Sequence, residues 1–152
     1  MKKLFFITII LLLQSFPSFG NPNGKGILCT IEDKEINEQF PKEHKNLLKL
    51  GFSFNNNLVT FKFVYQKNDD FLIGTTEGTV FTTSSDKIEW GNTYERWELD
   101  RKSLKIKEIE KTKLKNEHQC EVYSQKVYLE KIEEMRKTLQ NLNSIKLKDN
   151  KI

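Results

Sequence analysis

A chain of 152 residues, 37% hydrophobic and 30% charged, fits one domain and excludes scaffolds that need about 200 residues or more, such as a (β/α)8 barrel. Its 25 Lys plus Arg against 21 Asp plus Glu are interspersed, and no basic stripe, zinc-finger or RNA-binding pattern appears. Nucleic acid is therefore excluded as an expected partner.

The first twenty residues read as an export signal. Lys2 and Lys3 form its basic start, Leu4 to Leu13 is an apolar run broken only by Thr8, and Ser18-Phe19-Gly20 sets small residues three before and directly before a cut. The mature chain is expected to begin near Asn21. The run ends at Gln14, Ser15 and Pro17, short of the roughly 20 apolar residues a membrane anchor needs, so no stable anchor is expected after cleavage. Removing the two leader lysines lowers the net charge from +4 to +2.

The expected location is periplasmic or secreted. There, Cys29 and Cys120, the two cysteines of the chain, are expected to form a disulfide. Redox exchange would favour Cys-x-x-Cys, which is absent. A zinc site could recruit His118 beside Cys120, but His44 is the one other histidine and four ligands are wanted.

In chain order, Ile27–Ile31 reads as the first strand, 32–39 as a charged loop and Pro41–Leu48 as a short helix opened by proline. Leu50–Phe54 and Leu58–Gln66 alternate with period 2, and Asn55-Asn56-Asn57 tolerates the left-handed backbone of a tight turn, which predicts a hairpin. Val59, Phe61, Phe63 and Tyr65 share its core face, and only Val64 breaks the polar face. Further strands are predicted at 71–74, 79–83, 87–90, 94–99, 104–109 and 118–122, with Gly74 and Gly78 marking a bulge or bend. The pattern gives a mainly β fold, an antiparallel meander of seven or eight short strands forming a barrel or sandwich.

From Tyr123 the period changes. Tyr128, Ile132, Met135, Leu139 and Leu142 fall on one stripe of a C-terminal α-helix, which is expected to pack on its own sheet because the stripe is short for a coiled coil. The organisation is thus a leader over 1–20, one β-rich domain over 21–142, and a Lys-rich disordered tail over 143–152.

No constellation names a reaction. A phosphate-cradling glycine loop, a Gly-x-Ser-x-Gly elbow and a His-Glu-x-x-His motif are all missing, and no catalytic, metal or cofactor residue is assigned. Trp90, Tyr94 and Trp97 are the candidate contacts for a ligand or partner, being three large rings within eight residues. Core packing at a hairpin is the favoured reading of them, since Trp90 and Trp97 lie in alternating strands whose inward faces need filling.

Gly26-Ile27-Leu28-Cys29, the Phe-rich hairpin, Asp86 to Trp90, the turn Leu99-Asp100-Arg101-Lys102-Ser103-Leu104 and Cys120-Glu121-Val122 together resemble a group of small uncharacterised exported proteins from Pelagibacter-like marine bacteria. The resemblance covers most of the mature chain. It implies an exported β-rich domain and carries over no catalytic residue. In layout the chain is also similar to small disulfide-bearing β-barrel inhibitors of lysozyme, without a counterpart of their inhibitory motif. The expected function is a non-enzymatic binding or interaction module for a protein, glycan or small ligand. The alternative is a structural envelope protein whose C-terminal helix mediates association.

Overall fold

A computed structural model describes residues 19–31 and 48–149. Residues 1–18 of the expected leader, the expected loop over 32–39, His44 and residues 41–47 of the expected short helix lie outside the described residues. Nine strands and one helix follow: β1 (Lys25–Thr30), β2 (Lys49–Asn55), β3 (Leu58–Lys67), β4 (Asp70–Thr75), β5 (Thr79–Thr83), β6 (Lys87–Gly91), β7 (Glu95–Asp100), β8 (Lys105–Glu110), β9 (Lys113–Ser124) and α1 (Gln125–Asp149). Pairing runs β2-β1-β9-β8-β7-β6-β5-β3, and β3 returns to β2, which closes an eight-strand antiparallel barrel. Closure leaves no edge in the barrel wall, and β4 is an extra strand hung on β3.

Local chemistry fixes the turns. Asn56 and Asn57 sit at φ 49° and 60°, the left-handed pair that a two-residue hairpin turn requires. Gly91 closes β6 at φ 112°, where an added Cβ would lie 2.2 Å from the Glu95 carbonyl oxygen, so only glycine fits. In the Leu99 to Leu104 turn, the Asp100 carboxylate accepts from the Lys102 and Ser103 amides at 3.0 and 2.7 Å and from the Ser103 hydroxyl at 2.9 Å. Those bonds hold its carboxyl below the ordinary aspartate range. The irregularity in the sheet lies between Glu108 and Ile109, rather than at Gly74 or Gly78.

Period 2 sends alternate side chains into the barrel. Ile27 faces Phe52, Phe52 faces Phe61, Phe81 faces Trp90, and Ile88, Leu99 and Ile106 face one another across three strands. Phe52, Phe54, Ile27, Ile88, Leu99 and Ile106 are fully buried there. Cys29 lies opposite Cys120 in the β1–β9 pairing, and their sulfurs are bonded at 2.05 Å. The expected bridge is therefore present, stitching the first strand to the last. It also removes Cys120 from the thiolate ligands a metal beside His118 would need.

The helix packs on the outside of its own barrel. Tyr128, Ile132, Met135 and Leu139 are buried against Leu28, with Leu48, Val64, Phe71 and Tyr123 around them. Val64, the residue that broke the polar face of β3, is thus part of the helix seat. Gly26 and Gly51 flatten the wall where Tyr128 lies: a Cβ at Gly26 would come within 2.2 Å of the ring's Cγ. The Tyr128 hydroxyl is buried without a hydrogen-bond partner among the described residues, and burial pushes its pKa upward. Tyr128→Phe is expected to leave stability unchanged or raise it by about 1 kcal/mol, because the unsatisfied polar group is removed at nearly constant shape. Urea unfolding of the two proteins reads this directly, and a loss above about 1 kcal/mol would show that the hydroxyl has a partner.

The helix also runs further than its sequence suggested. It continues through Asp149, so residues 143–149 are helical rather than a disordered tail, while 150–152 lie outside the described residues. One reason is anchorage to β4. Gln140 Oε1 accepts from the Phe71 amide at 2.8 Å, Gln140 Nε2 and Asn143 Nδ2 each donate to the Asp69 carbonyl at 3.0 Å, and Arg136 Nη1 donates to the Phe71 carbonyl at 3.3 Å. Lys146 and Lys148 in the last turn suit the negative end of the helix dipole.

Candidate functional site

Alternation places the rings of β3 in a file. Inside the barrel Phe52 meets Trp97 at 5.2 Å and Phe61 at 5.2 Å between ring centroids, Phe61 stacks on Phe63 at 5.3 Å, and Phe63 meets Tyr65 at 5.7 Å. This aromatic stair starts in the barrel interior and runs out along the β3–β4 hairpin, because β3 outlasts β2 and continues beyond Lys62 paired only with β4. Gly74 lies opposite Phe63, and its missing side chain makes room for that ring: a Cβ there would sit 2.5 Å from Phe63 Cζ. The stair ends at Tyr65, 39% exposed, facing Leu72, also 39% exposed. Two exposed apolar groups on one face of a projecting hairpin form a surface that water solvates poorly.

The wall beside Trp97 is polar. Glu108 lies directly opposite Trp97, Asn116 opposite Glu108, and His118 one inward position further along β9, opposite Ile106. Glu108 and His118 are both 8% exposed. The Glu108 carboxylate accepts from Lys115 Nζ at 2.8 Å and from Asn116 Nδ2 at 2.8 Å, so the buried charge is compensated. His118 Nδ1 has no hydrogen-bond partner among the described residues. Burial pushes the Glu108 carboxyl up, but the Lys115 ammonium, the Asn116 amide and His118 outweigh it and hold the group below the ordinary glutamate value.

A depressed pKa stabilises the folded state above the unfolded-state value of about 4.3, and that stability is lost as pH falls through the lower folded value. Glu108→Gln is therefore expected to melt below wild type at neutral pH, and the difference to shrink below about pH 4. Melting curves between pH 7 and 3 check the sign. A gap that widens on acidification would refute the assignment.

Of the three aromatics singled out from the sequence, the fold brings Trp90 and Trp97 together and leaves Tyr94 apart. Trp90 is buried in the barrel, with Phe52 at 5.1 Å and Phe54 at 5.4 Å, and lies opposite Trp97. Trp97 is half-buried as the lowest step of the stair. Tyr94 stands 70% exposed in the β6–β7 turn. Trp90 thus serves as core, Trp97 joins core to stair, and Tyr94 stands apart from both. Glu108 was missed by the sequence reading, although continuing the alternation of Leu104 and Ile106 by two residues leads to it.

A concavity of about 200 Å³ lies between α1 and the barrel wall, lined by Leu28, Lys49, Glu121, Tyr123, Lys131 and Met135 among others. Tyr123 donates its hydroxyl to Glu121, and Lys131 Nζ stands 5.1 Å from the Tyr123 ring centroid. Burial and the Glu121 carboxylate push the Tyr123 pKa up to about 12. Glu121 and Lys131 are both engaged by Tyr123, which suits a helix–wall seam better than a reactive centre.

No family model, curated protein or solved structure matches this chain.

Proposed function

We propose that the protein is an exported, non-enzymatic binding module that takes its ligand on the aromatic stair. The observation that carries this reading is the continuous ring file from Trp97 through Phe52, Phe61 and Phe63 to exposed Tyr65. A row of rings with half its faces dry and its last step in water offers area at low conformational cost, the property that makes aromatics recurrent anchors in recognition. Glu108 and His118 beside the lowest step add a polar wall that could select for a donor group. Unidentified proteins, glycans and small flat molecules are all compatible with such a face. The alternative, association through the helix, is less favoured because the apolar stripe of α1 is already used on its own barrel.

The test is retention from periplasmic extract by immobilised mature protein, compared with a Tyr65→Ser/Leu72→Ser variant that leaves the barrel interior intact. The expected result is a component held by wild type and recovered roughly tenfold less by the variant, the equivalent of about 1.4 kcal/mol of lost contact. Equal recovery from both proteins at equal melting temperature would remove the stair as the binding face.

A further inference from the structure

The other end of the barrel, where the β5–β6 and β7–β8 turns lie, is occupied by the chain's own Phe19-Gly20 segment. The Phe19 ring is 4% exposed, belongs to the barrel core, and meets Phe54 edge-on at 5.8 Å. Its main chain is gripped as well. The Phe19 amide donates to the Arg101 carbonyl at 3.0 Å, Arg101 Nε donates to the Phe19 carbonyl at 2.7 Å, and Arg101 Nη2 donates to the Gly20 carbonyl at 3.0 Å. Arg101 itself is fixed from behind, through Nη1 to the Ser84 carbonyl and through its own amide to the Asp86 carbonyl at 2.8 Å.

A ring buried against Phe54, one main-chain donor, and two successive main-chain acceptors met by a pre-set arginine are the terms on which a protein binds a peptide segment. We infer that this end is a peptide site, filled by Phe19-Gly20 in the uncut chain and vacated when the chain is cut before Asn21. The inference rests on the reading of residues 1–20 as a cleaved leader and is independent of the aromatic stair.

Cleavage after Gly20 removes the ring and both acceptors and leaves Arg101 in place, because its anchors on Ser84 and Asp86 lie in the retained chain. The vacated end then holds an apolar hole walled by Phe54 and two guanidinium donors without partners. Its complementary ligand is a peptide ending in an aromatic residue and glycine. The carbonyl of the aromatic residue in such a peptide supplies the first acceptor and the terminal glycine carboxylate the second, with a charge-assisted bond to the guanidinium. The Phe54 ring touches both Phe19 and Trp90, so Trp90 fluorescence reports occupancy.

The experiment compares two oxidised proteins, one starting at Asn21 and one starting at Phe19, each titrated with Ser-Phe-Gly and Ser-Ala-Gly carrying free carboxylates. Saturable binding of Ser-Phe-Gly to the Asn21 protein is expected. It should weaken at least roughly tenfold for Ser-Ala-Gly, for Arg101→Ala and for the Phe19 protein, whose own segment competes. No saturable binding to the Asn21 protein, or equal binding to both proteins, overturns the site. If the Asn21 protein is unfolded alone, saturating Ser-Phe-Gly should raise its melting transition, since a ligand of the folded state stabilises it. An unchanged transition also overturns the site. Intact mass of the exported protein separates the premises: a start at or before Phe19 refutes the vacancy, and an uncut cytosolic product refutes the leader.

Discussion

Gly26→Ala is expected to cost about 3 kcal/mol, because its new methyl would lie 2.2, 2.5 and 2.6 Å from Tyr128 Cγ, Cδ2 and Cβ. Those atoms lie at the root of the side chain and cannot swing aside, so the whole of α1 must shift outward. Gly51→Ala should cost less, about 1–2 kcal/mol, since two of its three close neighbours, Tyr128 Oη at 2.8 Å and Ile132 Cδ1 at 2.9 Å, are side-chain ends. The third is the Lys62 carbonyl at 3.0 Å, which neither rotamer change relieves. In a Tyr128→Phe background the Gly51 cost should fall while the Gly26 cost stays, a double-mutant cycle read by urea unfolding. A Gly26→Ala protein as stable as wild type would mean that the helix does not sit where described.

The second large effect belongs to the disulfide. Cys29 and Cys120 are 91 residues apart, and a loop near that length is worth up to about 4.7 kcal/mol through the restriction of the unfolded chain. Replacing both cysteines by alanine is expected to remove about 2–5 kcal/mol and to steepen the dependence of stability on urea, because the released chain expands further on unfolding. Urea midpoints with and without reductant give the same comparison in one protein. Identical midpoints would show that the sulfurs are not joined in the folded molecule.

Much of the architecture was legible in the residues. Alternation marked each of the strand positions, the asparagine run marked the first hairpin, and the 4, 3, 4, 3 spacing from Tyr128 marked the helix stripe. The closing of the sheet was not legible, because pairing of β3 with β2, β4 and β5 depends on where its two halves diverge rather than on its own composition. The barrel itself holds eight strands, within the seven or eight expected, and β4 is an additional strand hung outside it. Val64 was visible as an oddity and makes sense only with α1 lying over it. The far end of α1 was hidden for a similar reason: its polar residues read as a loose tail until Asn143, Gln140 and Arg136 are seen satisfying the outer edge of β4.

The candidate site was less legible. The alternation around Trp90 and Trp97 favoured core packing for both, and both face inward, but it did not show that Trp97 would join the file of rings on β3. Glu108 sits on an inward position, where a carboxylate is unexpected unless compensated, and its partners Lys115 and Asn116 arrive from the next strand across a register shift. Phe19 was read only as a spacer between Ser18 and Gly20 in a cleavage pattern. Its burial against Phe54 follows from Arg101, 82 residues away.

The strand order also governs when the molecule can come into being. Since β1 lies between β2 and β9, the wall has a gap until Ser124 is free, and the helix that covers it emerges later still. Early hairpins such as β2–β3 can form as they appear, but the ring they belong to joins only when the two termini of the sheet meet, a contact of high sequence separation that is slow to find. A chain halted midway through synthesis would lack the strands that close the ring. Maturation of this protein is consequently an event of the finished polypeptide rather than a gradual accumulation along it.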